Sequence, residues 1–169
     1  MIQEAVDLVK HFEGFRAKPY LCPSDVWTIG FGTTWYPSGR RVSRVDPSCT
    51  QEQAEVWLRF VLEEAEQSAI SLCRVYLSPF QRGALASFIY NVGEGAFRAS
   101  TLRKRINDME WEDVPFQFRR WKFAGGRVLG GLVRRREAEI GLWERGLKEL
   151  EPAEPKVSWY DRFSLSRTA

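Results

Sequence analysis

Apolar residues at Ile2, Ala5, Val6, Val9 and Phe12 recur at three- and four-residue steps, which predicts an amphipathic helix ending near Gly14. From residue 18 to 48 the pattern breaks. Pro19, Pro23, Gly30, Gly32, Pro37, Gly39 and Pro47 punctuate short β-prone runs such as Trp27-Thr28-Ile29, so a small antiparallel sheet or hairpins are expected. Helical spacing returns after Thr50. Thr50-Gln51-Glu52-Gln53 has the form of a capping box, and it opens a helix with Ala54, Trp57, Leu58, Val61, Leu62 and Ala65 on one face. Ser78-Pro79-Phe80-Gln81 predicts a second such start, leading into Leu85, Phe88, Ile89 and Val92 and ending at Gly93 and Gly95. Further helices are expected from a Ser100 cap through Ile106, from Trp111 to Trp121, and from Leu132 to Leu147. The fold class is therefore α+β, a β lobe at about 14–48 on a helical body at about 50–150. Glu151-Pro-Ala-Glu-Pro155 reads as an extended linker to a tail, 151–169, which Trp159, Tyr160 and Phe163 could tether to the body.

Composition narrows the class without choosing a function. A chain of 169 residues suits one domain with a single good core. No apolar run approaches the ~18 residues of a membrane span. Glu4 and Asp7 stand where a secretory signal carries positive charge, so synthesis without such a signal is expected. Cys22, Cys49 and Cys73 fit neither a disulfide framework nor a zinc site, and no acidic metal cluster or phosphate-binding loop stands out; neither a metal nor a cofactor is expected. The net charge is +3, yet basic residues concentrate between Arg98 and Arg136. A nucleic-acid binder would use such a region, but no motif of that class accompanies it, and a solvated helical face accounts for the same residues.

One segment carries more specific information. Phe12-Glu13-Gly14-Phe15-Arg16 is followed by Tyr20-Leu21-Cys22 and by Trp27-Thr28-Ile29-Gly30-Phe31-Gly32-Thr33-Thr34. Eight residues separate Glu13 from Cys22, and five separate Cys22 from Thr28. In order and spacing this resembles the phage-type lysozymes. The resemblance continues through Gln81-x-x-Ala84-Leu85-x-Ser87-Phe88-x-Tyr90-Asn91-Val92-Gly93, through Phe97-x-x-Ser100-Thr101-Leu102, and through Trp121 and Gly131-Leu132-Val133-x-Arg135-Arg136-x-x-Glu139. It covers the body to about residue 147.

The resemblance implies a lysozyme-like fold with the cleft between the lobes and an endolysin that cleaves peptidoglycan glycan strands. Glu13 would be the general acid. Glycoside cleavage requires protonation of a poorly basic leaving oxygen, so Glu13 must hold a proton near neutrality, which burial at a helix end could supply. Cys22 stands where the family usually has Asp and a subset has Cys. As thiolate it could assist water or stabilise positive charge, with Arg16 or Lys18 lowering its pKa and Asp25 as a deputy; as thiol it could simply pack. Thr28 would position the attacking water. Thr33 replaces a His found in many relatives and cannot make the same charged pair.

Tyr90, Asn91 and Ser100 match cleft-lining positions and are expected to bind substrate, and the arginines at 134–136 either set the electrostatics around Glu13 or meet anionic wall groups. A Cys–His protease built on His11 lacks the supporting signatures. The resemblance also implies a monomer without stable membrane insertion, accumulating in the host bacterial cytoplasm and released to periplasmic peptidoglycan by a separate holin. The competing functional reading is a catalytically weak or inactive peptidoglycan-binding module.

Overall fold

The computed structural model describes residues 1–22 and 24–150. Helix α1, Gln3–Glu13, buries Ala5, Val6 and Val9 and stops where Gly14 takes φ 68°, its N–H bonded to Lys10 O at 3.1 Å. Strands β1, Arg16–Leu21, and β2, Trp27–Gly30, follow at once and pair antiparallel, with Tyr20 opposite Thr28 and Leu21 opposite Trp27.

The body begins with α2, Gln51–Leu72, and α3, Pro79–Val92. Both capping boxes form: Thr50 and Ser78 accept from the N–H groups of Gln53 and Gln81, whose side chains accept in return. After these come α4, Glu94–Ala99; α5, Thr101–Asn107, capped by Ser100; and α6, Val114–Arg119. A two-stranded hairpin, β3 (Phe123–Ala124) and β4 (Arg127–Val128), precedes α7, Gly130–Leu150.

Several boundaries differ from the sequence expectation. Gly93 closes α3 with φ 87°, but Gly95 lies inside the short helix α4 rather than in a terminator. Helix α6 is narrower than Trp111 to Trp121, because residues 111–113 form a turn ahead of Pro115. Gly125 and Gly126, with φ 56° and 75°, make a hairpin turn, and α7 starts two residues before Leu132. The expected linker and tail lie outside the described residues.

Two apolar clusters correspond to the two lobes. In the body, Trp143 of α7 and Phe88 of α3 are fully buried with Phe97, Leu102, Ile106 and Phe118. The other cluster joins Val6 and Val9 of α1 to Ile29, Phe31 and Val42 of the β lobe and Ala54, Leu58 and Leu62 of α2. Gly30 lets the β lobe sit this close, since a Cβ there would lie 2.7 Å from Ala54 Cβ. Glu13, the last residue of α1, therefore emerges where the two clusters adjoin.

Candidate active site

A groove of about 490 Å³ is lined by Glu13, Gly32 to Trp35, Val61 and Glu64 of α2, and Tyr90 and Asn91 of α3. Gly32, at φ 95°, brings the β lobe against the acid: a Cβ there would stand 2.7 Å from the Tyr90 hydroxyl and 3.4 Å from Glu13 Oε2. The Tyr90 hydroxyl donates to Phe31 O at 2.8 Å and so ties α3 to the same loop. Burial, helped by the Glu13 carboxylate, pushes the Tyr90 phenol well above its ordinary range, so it stays a donor at any physiological pH.

Glu13 is not enclosed as the sequence suggested. A quarter of its side chain is exposed, and its principal contact is an ion pair, Arg135 Nη1 to Glu13 Oε1 at 2.6 Å. The partner is not the nearby Arg16, whose guanidinium lies over the Tyr20 ring at 4.3 Å. The three consecutive arginines separate by role. Arg134 faces solvent, while Arg135 and Arg136 are buried. Arg136 Nη2 donates to Asn91 Oδ1 at 3.0 Å, orienting one cleft residue as Arg135 orients another. Both arginines contact Glu139, which is wholly buried and also accepts from the Ser87 hydroxyl at 2.7 Å.

Cys22 lies at the start of the turn between β1 and β2, half-buried, with its N–H donating to Val26 O at 3.0 Å and its carbonyl accepting from Asp25 N–H at 2.9 Å. Backbone amides of Val26 and Ser24 hold the thiol below its ordinary pKa. The cause is thus local backbone and not the charge of Arg16 or Lys18. Thr28 itself is buried, and its hydroxyl donates to Val26 O at 3.0 Å. Burial raises the pKa of Tyr20, opposite Thr28 in the hairpin, with Arg16 opposing the shift and the Glu13 and Cys22 charges adding to it. Asp25 is exposed at the turn in the left-handed region, with φ 56°. His11 is exposed and rests edge-on against Phe12.

Tyr90 and Asn91 line the groove with Glu13, but Ser100 lines a separate cavity of about 470 Å³ with Gln117, Arg120 and Trp121. There its hydroxyl donates to Phe97 O at 2.7 Å and accepts from Arg103 N–H at 3.0 Å as the cap of α5. Trp35, which carries the Arg41 guanidinium 4.4 Å from its ring centre, and Glu64 also line the Glu13 groove. Sequence reasoning passed over both. An exposed Trp directly after the Thr33-Thr34 pair was the available signal for the first, whereas Glu64 is one of several glutamates on α2 and carried none.

A carboxyl group at a helix end, in an open groove between a hairpin lobe and a helical body, with a thiol and a hydroxyl on the adjoining hairpin, is the arrangement of a glycan-cleaving hydrolase. The family profile described as phage lysozyme matches residues 10–139. The endolysin of Bacillus phage B103 is 36% identical over 161 residues, covering 92% of this chain and 59% of that protein. The endolysin of Acyrthosiphon pisum secondary endosymbiont phage 1 is 34% identical over 146 residues, covering 84% of this chain and 96% of that one. The solved muramidase domain of SpmX from Asticaccaulis excentricus superposes with a TM-score of 0.73 at 31% identity, over 84% of this chain and 95% of the other. The chain belongs to the phage lysozyme family and is a glycoside hydrolase of the lysozyme type.

Proposed function

We propose that this lysozyme is an endolysin that hydrolyses the β-1,4 bond between N-acetylmuramic acid and N-acetylglucosamine, with Glu13 as general acid. The observation that carries the reading is the Glu13 carboxyl, fixed by Arg135 at 2.6 Å in the groove between the lobes. Glu13 gives its proton to the glycosidic oxygen as the bond to the anomeric carbon breaks. Water attacks that carbon from the opposite face, and the configuration inverts. The Thr28 hydroxyl already donates to Val26 O, which leaves its oxygen lone pairs to accept a hydrogen bond from that water. The lowered pKa of Cys22 supports a thiolate that assists the water or the developing positive charge. Tyr90 and Asn91 contact the saccharide beside Glu13, and Ser100 contacts the glycan strand in the separate cavity that it lines.

Residues 1–150 are the catalytic domain in this reading. The protein acts as a monomer, accumulates in the host bacterial cytoplasm and reaches the periplasmic wall after a separate holin opens the membrane. Among the described residues no helix is long and apolar enough to cross a membrane. Fractionation of expressing cells with and without a holin tests the location, and sedimentation of the purified protein tests the monomer.

Mass spectrometry of muropeptides released from purified peptidoglycan by wild type, Glu13→Gln and Cys22→Ser tests the chemistry. Wild type is expected to leave N-acetylmuramic reducing ends, and Glu13→Gln to lose about 10²–10⁴-fold in rate. A fully active Glu13→Gln rejects the acid assignment, and wall binding without release identifies a binding module. A Cys22→Ser variant at wild-type rate assigns the thiol to packing. Product that retains the anomeric configuration, or a covalent sugar adduct, rejects inversion.

A further inference from the structure

The Glu13 ion pair is one end of a chain of charges that runs into the body. Arg135 is almost wholly buried and divides its guanidinium three ways: Nη1 to Glu13 Oε1 at 2.6 Å, Nη2 to Ser87 O at 3.2 Å, and Nε to Glu139 Oε1 at 3.3 Å. Glu139 is completely buried and faces a second guanidinium, with Arg136 Nε 2.8 Å from its Oε2 and Arg136 Nη2 3.0 Å from its Oε1. Arg136 is also fully buried, and its Nη1 has no hydrogen-bond partner among the described residues. Two buried cations thus share one buried anion, and the second anion available to them is Glu13.

Charge counting shows what this means for a proton donor. With Glu13 ionised, the four groups sum to zero. With Glu13 protonated, as a general acid must be, the remaining three sum to +1. Without Glu139 they would sum to +2, and a doubly cationic site beside Glu13 strongly favours its carboxylate.

We propose that Glu139 is a positioning residue for the reaction: acting through Arg135, it aims the guanidinium at Glu13 and offsets enough positive charge for Glu13 to keep a proton. The inference rests on Glu13 being the general acid. Burial pushes the Glu139 carboxyl up, and Arg136, Arg135 and the Ser87 hydroxyl oppose that shift; paired with two guanidiniums, Glu139 is ionised. From the other elements, Glu64 of α2 and Tyr90 of α3 line the groove with Glu13, while Tyr20 of β1 senses the charges of Glu13, Arg16 and Cys22, and none of these neighbours of Glu13 is altered in the variants below.

The test follows the Glu13 carboxyl carbon by NMR across pH in protein labelled at glutamate side chains, with its signal assigned by its absence in Glu13→Gln. In Glu139→Gln the midpoint is expected to fall by about one pH unit or more. In Arg136→Gln, where the three neighbours sum to zero, it should rise by a similar amount. The double variant Arg136→Gln/Glu139→Gln restores the sum to +1 and should bring the midpoint back toward wild type.

A merely structural Glu139 would change the yield or melting temperature of folded protein and leave the midpoint where it was; that result overturns the proposal. Should Glu139→Gln alone fail to fold, Arg136→Gln and the double variant decide. A higher midpoint in the single variant than in the double supports the proposal, and equal midpoints reject it. Because the titration needs no activity, its failure is distinct from failure of the acid assignment, which Glu13→Gln turnover measures.

Discussion

The hairpin and the helical body hold their candidate site residues by different physics. On the hairpin side, Cys22 and Thr28 are arranged by residues within a few positions of themselves, through backbone hydrogen bonds in one short turn. On the body side, Glu13 is held by Arg135, 122 residues away, and Arg135 is held by Ser87 and Glu139 in a pocket with almost no solvent. A local turn can be assembled and tuned without the rest of the fold. The buried charges exist only when α1, α3 and α7 are packed together, because each ion would otherwise carry its desolvation cost unpaired. The candidate site residues thus combine a locally specified half and a globally specified half.

Cysteine chemistry gives the sharpest contrast. Backbone amides lower the Cys22 pKa, whereas burial raises those of Cys49 and Cys73, the latter to about 11. At pH 7 the thiolate fraction of Cys22 should exceed that of Cys73 by about 10²-fold or more. Brief iodoacetamide treatment followed by peptide mass spectrometry should therefore find the label on Cys22 alone. Label on Cys49 or Cys73 in native protein would break the contrast. The sign of the pH dependence follows: Cys22 remains ionised to lower pH than an ordinary thiol, so its alkylation should persist as pH falls below the range where free cysteine stops reacting.

A second prediction separates the halves physically. Gly32→Ala adds a Cβ 2.7 Å from the Tyr90 hydroxyl at a backbone angle of φ 95°, so either the loop or the Tyr90 ring beside Glu13 must shift. A displacement near 1 Å is expected to cost about 10²-fold in turnover. Overpacking should lower stability by only about 1–3 kcal/mol, read by urea unfolding. Cys22 alkylation should stay at its wild-type rate if the turn is locally organised. A matching fall in that rate would show that the two halves are not independent.

The smallest effect is expected within the β lobe itself. Asp46 accepts from Tyr36, from Arg40 and from Ser43, which together hold its carboxyl far below the usual range; burial and the Asp46 carboxylate, against Arg40, push the Tyr36 phenol up to about 12. A depressed carboxylate contributes stability above its unfolded pKa and loses it as pH falls through the folded one. Asp46→Asn should speed amide exchange over residues 34–46 at neutral pH and flatten its acid dependence, with little change in exchange within α3. Equal changes in both regions would show that the lobes open as one unit.

Local pattern made much of this legible. Both capping boxes, the Gly14 stop and the hairpin between Tyr20 and Thr28 follow from short-range rules, and the spacing from Glu13 to Cys22 to Thr28 brought the family into view. The hairpin across Gly125-Gly126 left no β pattern in the sequence, because its strands are only two residues each. Helix α4 was missed because glycines at 93 and 95 look like a double stop. Which arginine meets Glu13 was not legible, since Arg134, Arg135 and Arg136 are identical in sequence and differ only in the helix face that α3 covers. The burial of Glu139 and the approach of Ser87 depend on that same packing, so nothing nearer than 52 residues along the chain announces the Ser87 contact.

The long reach of the Glu13 ion pair also has a meaning in time. Glu13 leaves the ribosome 122 residues ahead of Arg135. At about 5–20 residues per second the interval is on the order of ten seconds. During it the nascent chain carries Glu13 without the guanidinium that aims it, so synthesis itself keeps the groove unfinished until α7 has emerged.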